Sequence, residues 1–366
     1  MKILHVITSL RTGGAEKLMV DLLPKLRDLG NDVELLLFDG VRTEFMEQLE
    51  KNGINIHFTR VEGSVYDPRN IFYLRHFINN YEVVHTHNTA PQLFAVIAKK
   101  LSSGSLVKLV TTEHNTTNRR RDKRFFKLLD RWMYSKYAKV ICISNQAEKN
   151  LRKYLDDCSS KICTIFNGID FHRFSNQNLC IEHKQKNKET VIVTMVAAFR
   201  EQKDQQTLIR AFSFLPANYR LQLVGNGDKR LIEKSENLVR LLNLSNRVDF
   251  LGIRTDIPAI LHASDIIVLS SHYEGLSLSS LEGMASGLPF VASDVDGLRE
   301  IVKGYGLLFP HEDAQSLAAI IVRLSEDREY ATQIAAKCQE RAKQFDISVM
   351  AQQYNSIYKE LFNNEF

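Results

Sequence analysis

Short apolar runs of strand length alternate with longer stretches of helical spacing along almost the whole chain, and few folds accept that rhythm. In the first part the strand-like runs are ILHVI (3–7), DVELLLF (32–38), EVVHTH (82–87), LVKLVT (106–111) and AKVICI (138–143). Between the first two, Leu18, Leu22, Leu26 and Leu29 recur at the spacing of one helix face. A second series runs through VIVTMVAA (191–198), LQLVG (221–225), VDFLG (248–252), DIIVLS (265–270) and PFVAS (289–293). Strands that alternate with helices predict parallel sheets covered on both faces. The polar stretch SNQNLCIEHKQKNKE (175–189) separates the two series and has the composition of an exposed connection. The sequence predicts an α/β protein of two Rossmann-like, doubly wound domains facing across a cleft. Residues 1–172 form the first, 173–345 the second, and the terminal helix 346–366 joins the first.

Composition narrows the function classes. At 366 residues the chain is long enough for a full core in each domain. Lys+Arg 48 against Asp+Glu 43 gives a net charge of only +5, which gives no warrant for a nucleic-acid polycation. The five cysteines (Cys142, Cys158, Cys163, Cys180, Cys338) form no CxxC pair and are odd in number, so neither a disulfide framework nor a zinc site is expected. MKILHVITSL reads as a first strand rather than a signal peptide, because His5 interrupts it and RTGGAEK follows. No stretch is long and apolar enough to cross a bilayer, and the expected location is cytoplasmic.

In open parallel sheets the chemistry sits beyond the carboxyl ends of the strands. The loop after the first strand offers Gly13 and Gly14 before Glu16, a place where backbone N–H groups can approach an anion, or a purely structural turn. A dinucleotide site would need GxGxxG, which this loop lacks. The richest segment is His272-Tyr-Glu274-Gly275-Leu276-Ser277-Leu278, which leads into a helix carrying Glu282 and ends at Pro289. A helix opening there would hold a phosphate at its N-terminus and offer Glu282 to a ribose; alternatively both glutamates are surface charges. His85 and His87 are expected on opposite sheet faces, which leaves His87 as the better ligand-facing residue.

Glu274-x7-Glu282 followed by EGMASGLPFVASDVDGLREIV (282–302) resembles the donor-site signature of glycosyltransferase family 4, retaining enzymes of the GT-B fold. The Gly13–Gly14 loop, VVHTHN (83–88), TTEHNT (111–116), VICISN (140–145), IFNGID (165–170), REQKD (200–204), LVGNGD (223–228) and VDFLG (248–252) agree in order and spacing. The resemblance implies transfer of a sugar from a nucleotide-sugar, UDP-linked by expectation, to a glycan or lipid-linked acceptor in cell-surface polysaccharide or glycolipid synthesis. It places Lys203 against the donor diphosphate, with Gly14, Arg200 and the backbone of Gly275, Leu276, Ser277 and Leu278. Glu282 falls on the ribose, Glu274 on the sugar hydroxyls, and Ile253 beside the base. Gly13, Glu16, His87, His114 and Arg119 fall on the acceptor side, with His114 facing sugar and acceptor. The family usually carries an arginine where this chain has Ala198, and Arg200 is the nearby replacement. No Asp-x-Asp accompanies these motifs, so neither a catalytic metal nor a cofactor is expected.

Basic residues cluster at 119–124, ahead of Phe125, Leu128, Leu129, Trp132 and Met133 at helical spacing. Two readings stand: a helix packed on the first domain, or a peripheral contact of 119–133 with anionic lipid at the inner membrane face. Two rival functions also remain on this architecture, a nucleotide-sugar 2-epimerase and a non-catalytic nucleotide-sugar-binding protein.

Overall fold

The computed structural model describes residues 1–11, 13–59, 64–114, 124–156, 159–175 and 190–363, and the side chains of 124 and 125 are not described. By contact the chain divides into two units, Met1–Gly168 with Ile347–Phe366 and Ile169–Asp346.

The first unit is built on a seven-stranded sheet in the order β3-β2-β1-β4-β5-β6-β7. Its strands are β1 (Lys2–Ile7), β2 (Asp32–Leu37), β3 (Asn55–Phe58), β4 (Val83–His87), β5 (Lys108–Glu113), β6 (Lys139–Cys142) and β7 (Ile162–Thr164). Each described pairing is parallel, which fits connections made by helices. β1 and β4 are fully or almost fully buried along their length, as a strand covered on both faces must be. β4 nevertheless reads VVHTH, and its polar groups have to find partners inside the protein.

The second unit carries a six-stranded parallel sheet in the order β10-β9-β8-β11-β12-β13. These are β8 (Val191–Val196), β9 (Tyr219–Val224), β10 (Val248–Gly252), β11 (Ile266–Leu269), β12 (Phe290–Ser293) and β13 (Leu307–Phe309). The short strands β3, β7 and β13 were not anticipated from the sequence. They hold only three or four residues, too few for a period to declare itself, and β3, β7 and β13 lie at sheet margins.

Each sheet reverses its strand order once, between β1 and β4 in the first unit and between β8 and β11 in the second. At such a reversal neighbouring loops diverge to opposite faces and leave a crevice at the carboxyl ends. The C-terminal helix Ile347–Asn363 packs in the first unit against helix Gly14–Asp28, and Asn31 Nδ2 donates to Asn355 Oδ1 at 3.1 Å.

Candidate functional site

In the second unit the loops at the sheet reversal carry Lys203 and Glu274. Lys203 ends a short 3-10 turn, Glu201–Lys203, after β8, and its N–H donates to Arg200 O at 2.9 Å. Glu274 follows β11. Lys203 Nζ donates to Glu274 Oε1 at 2.5 Å, and the two side chains are only 15% and 5% exposed. Ser271 Oγ donates to the same oxygen at 2.6 Å, while Gln202 Nε2 reaches Oε2 at 3.2 Å. A carboxylate this deep needs such partners, because an unpaired buried charge is costly. Sequence reasoning missed Gln202, seventy-two residues from Glu274, and Ser271, three residues before it, because nothing in spacing alone says which side chains turn onto the carboxylate.

Two glycine-dependent contacts hold these loops in place. Gly297 has φ +84°, and a Cβ on it would lie 2.2 Å from Glu274 O, so the Glu274–Gly275 backbone rests directly on it. Gly225, at φ +140°, approaches Ala197 O just as closely, and Phe199 N–H donates to Asn226 O at 3.0 Å. The LVGNGD loop thereby supports the strand exit that leads to Lys203.

Helix Leu278–Ala285 begins four residues after Glu274, with Ser277 as its N-cap in extended geometry and no side-chain cap bond. Its first turn points backbone N–H groups and the positive end of the helix dipole out of the sheet's carboxyl edge. Glu282 sits one turn further, half-buried. Gly275 and Ser277 lie between this helix and Glu274, with Leu276 buried beside them. Arg200 is exposed, and Ile253, on the loop after β10, is 57% exposed. Ala198, where the family has an arginine, is half-buried, and Gln205 Nε2 donates to its carbonyl at 3.0 Å.

The first unit gathers histidines. His5 on β1 stands in register with His85 on β4, and His87 ends that strand. The expectation that His85 and His87 face opposite ways is wrong: residues two apart on a strand share a face, and their rings stack with centroids 4.6 Å apart. A continuous hydrogen-bonded chain results. His114 Nε2 meets His87 Nδ1 at 2.9 Å, His87 Nε2 meets His5 Nδ1 at 3.0 Å, and His5 Nε2 meets Tyr358 Oη at 3.5 Å. Tyr358 Oη meets His85 Nδ1 at 2.6 Å, His85 Nε2 meets Thr112 Oγ1 at 2.8 Å, and Thr112 meets Tyr354 Oη at 2.9 Å. His5, His85 and His87 are fully buried, and desolvation opposes their charged forms. It lowers His5 to about 3 and half-buried His114 to about 4, and holds His85 and His87 well below the usual imidazole range. The rings are therefore neutral at pH 7. The tyrosines come from the last helix, so this partnership was invisible in the local sequence.

Gly13 is the N-cap of helix Gly14–Asp28, and Gly14 is its exposed first residue. A Cβ on Gly13 would strike the Glu16 carboxylate at 2.2 Å, so Glu16 folds back over the loop. Arg119 and the basic run 119–123 lie outside the described residues. Of the expected apolar face, Met133 is buried and Trp132 partly so, but Leu128 is 73% exposed and belongs to the outer surface of helix Arg124–Ser135. That surface also carries Lys127 and Arg131, both paired with Asp156. Among the described residues no helix is long and apolar enough to cross a membrane.

Two clusters among the described residues could hold a metal ion: His5, His85 and His87, and His272, His311 and Glu312. In the first, each ring nitrogen already has a hydrogen-bond partner.

The family model for Glycosyltransferase Family 4 matches residues 12–173, and that for Glycosyl transferases group 1 matches residues 177–345. The chain is 30% identical over 263 residues to the UDP-Gal:alpha-D-GlcNAc-diphosphoundecaprenol alpha-1,3-galactosyltransferase of Escherichia coli, covering 68% of this chain and 67% of that protein. It is 29% identical over 238 residues to the N,N'-diacetylbacillosaminyl-diphospho-undecaprenol alpha-1,3-N-acetylgalactosaminyltransferase of Campylobacter jejuni, covering 63% and 62%. The structure of Anabaena HepE in complex with UDP and glucose superposes with a TM-score of 0.85 at 24% identity, over 98% of this chain and 99% of that one. Two parallel-sheet units, the ordered motifs and these matches agree, and the chain belongs to the family 4, group 1 glycosyltransferases of the GT-B fold.

Proposed function

We propose that the protein is a retaining transferase that moves a sugar from UDP to a glycan or lipid-linked acceptor of cell-surface polysaccharide or glycolipid. The observation that carries the reading is the buried Lys203–Glu274 pair at the sheet reversal, directly ahead of the uncapped helix Leu278–Ala285. Breaking the anomeric bond places negative charge on the leaving diphosphate. Lys203, Arg200 and the N–H groups of Gly275 to Leu278 supply fixed positive potential for it, without a metal ion in the transfer step. Glu282 takes the ribose, Ile253 borders the base, and Glu274 orients the sugar hydroxyls.

Acceptor recognition belongs to the first unit, through Gly13, Glu16 and His114, with buried His87 holding the His114 ring from behind, while Gly14 serves the donor diphosphate. With Tyr358 donating to His85, the neutral rings order their protons in one sense, and His114 carries its proton on Nε2 and presents Nδ1 as an acceptor. That nitrogen receives a hydroxyl, while the departing phosphate takes the nucleophile's proton on the same face of the sugar. Lipid-diphosphate acceptors of the Escherichia coli and Campylobacter jejuni relatives support an acceptor at a membrane surface. The stretch 119–133 is the proposed contact with it.

A thermal-shift series with UDP-, GDP- and ADP-sugars, each with magnesium and with EDTA, tests the donor. UDP-sugars are expected to raise the melting temperature most, equally in both buffers, and Glu282→Ala to weaken UDP binding about tenfold, near 1.4 kcal/mol. Preference for another base, or a strict need for magnesium, would overturn the donor reading. Formation of an epimer from nucleotide-sugar alone, with no acceptor, would replace transfer by the 2-epimerase reading.

A further inference from the structure

Next to the donor loops, three chain segments converge on a group that the transfer reaction does not use. His272 follows β11, Asp204 follows β8, and His311 with Glu312 follows β13, all at the carboxyl edge of the same sheet. His272 Nδ1 lies 2.7 Å from His311 Nε2, 3.5 Å from Glu312 Oε1 and 3.9 Å from Asp204 Oδ2. The ligand atoms of His272, His311 and Glu312 all fall within 4.8 Å of one another.

Asp204 supplies the independent observation. Its Oδ1 accepts from Thr207 N at 3.2 Å and caps helix Gln205–Phe212. Its Oδ2 is buried with no hydrogen-bond partner, on a side chain only 8% exposed. A carboxylate oxygen in that position costs on the order of 1–3 kcal/mol unless something cationic meets it. A proton on His272 does not meet it: 3.9 Å is beyond hydrogen-bond reach, and Nδ1 is already engaged by His311 at 2.7 Å. An ion seated on His272 would satisfy Glu312 and Asp204 Oδ2 together once the exposed His311 and Glu312 swing toward Asp204, which stands 3.9 Å from His272 Nδ1 and outside the three-residue group.

The geometry points to a site for a divalent d-block cation, Zn²⁺ foremost, held by His272, His311, Glu312 and Asp204. Two imidazoles and two carboxylates form a tetrahedral zinc donor set, and imidazole disfavours magnesium and calcium. Ligand atoms around zinc stand about 3.3 Å apart, given bonds of about 2.0–2.2 Å. Exposed His311 and Glu312 have room to close the difference. Bound there, the ion would neutralise the two carboxylates and tie together the loops carrying Lys203 and Glu274. The ion is a clamp on those loops and takes no part in the metal-free transfer.

The experiment uses untagged full-length protein stripped with chelator and titrated with zinc chloride alone, read by calorimetry and by thermal shift. One equivalent is expected to bind and to raise the melting temperature, with magnesium giving no shift. His272→Ala and His311→Ala are each expected to weaken zinc at least thirtyfold, and Asp204→Asn, which keeps the helix cap, about tenfold. Absence of stoichiometric zinc binding by the wild type overturns the site. So does full zinc affinity in the His272→Ala, His311→Ala double variant, which would place the ion elsewhere, for instance at His5, His85 and His87. Because the readout is metal binding, failure here leaves the donor assignment to be judged by the UDP-sugar series alone.

Discussion

The two units answer the same topological problem, a crevice where strand order reverses, with opposite electrostatics. In the first unit the reversal between β1 and β4 is lined by neutral imidazoles, buried and linked end to end by hydrogen bonds. In the second, the reversal between β8 and β11 holds a charged pair, Lys203 and Glu274, beside a helix N-terminus. A neutral network tolerates burial as long as every ring keeps its single proton. An ion pair tolerates it only while both partners stay. The contrast matches what each side is proposed to meet: hydroxyl groups in one case, a diphosphate in the other.

Acid should break the comparison most sharply. His5, His85 and His87 have folded-state affinities for protons depressed below the unfolded value near 6.5. As pH falls through 6.5 the unfolded chain takes up protons that the folded one refuses, so stability is full above that value and declines below it. For His5 the loss continues down to about 3, where the folded form also protonates. At about 1.4 kcal/mol per pH unit, His5 alone costs about 2 kcal/mol by pH 5, and His85 and His87 add to the loss in the same direction. Trp132, the single tryptophan, lies in the first unit and reports its unfolding. Urea midpoints by tryptophan fluorescence should fall steeply from pH 7 to pH 5; a flat profile would show that the chain is not neutral in the native state.

The second effect is smaller and lies in the other unit. Lys203→Ala leaves the Glu274 carboxylate buried with only Ser271 and Gln202, and should cost about 3 kcal/mol of stability. Turnover should fall at least tenfold. Adding Glu274→Gln should recover part of the stability and none of the turnover. Wild-type kinetics from the lysine variant would count directly against its place at the leaving group.

Tyr358→Phe sharpens the picture on the neutral side with the least disturbance. It removes the hydroxyl between His85 and His5, keeps the ring volume, and should cost about 1–2 kcal/mol. If the chain orders the proton of His114, the pH profile of kcat should also shift, whereas a purely structural tyrosine would lower stability and leave that profile in place.

Much of this molecule was legible before any coordinates. The long strands are legible because apolar runs of five or six residues, repeated between stretches of helical spacing, read as the buried strands of a parallel sheet. The loop-to-helix transition after a strand places Glu274 and Glu282 at a helix N-terminus, but it is their resemblance to the family signature, not their spacing, that singles them out as donor-site residues. The edge strand β13 is hidden by its three-residue length, whereas the shared face of His85 and His87 follows from period-two alternation and is legible in the sequence itself.

What the sequence determined by itself is therefore local and periodic: two series of strands and helices, and loops rich in glycine and charge at their carboxyl ends. Which side chains meet was decided only by tertiary structure. Lys203 finds Glu274 because β8 and β11 are neighbours in the sheet, though seventy residues separate the two. Tyr358 reaches His5 and His85 because the final helix returns to the first unit. Strand order and helix docking are set by the burial of whole faces, a sum over many residues that no single motif records.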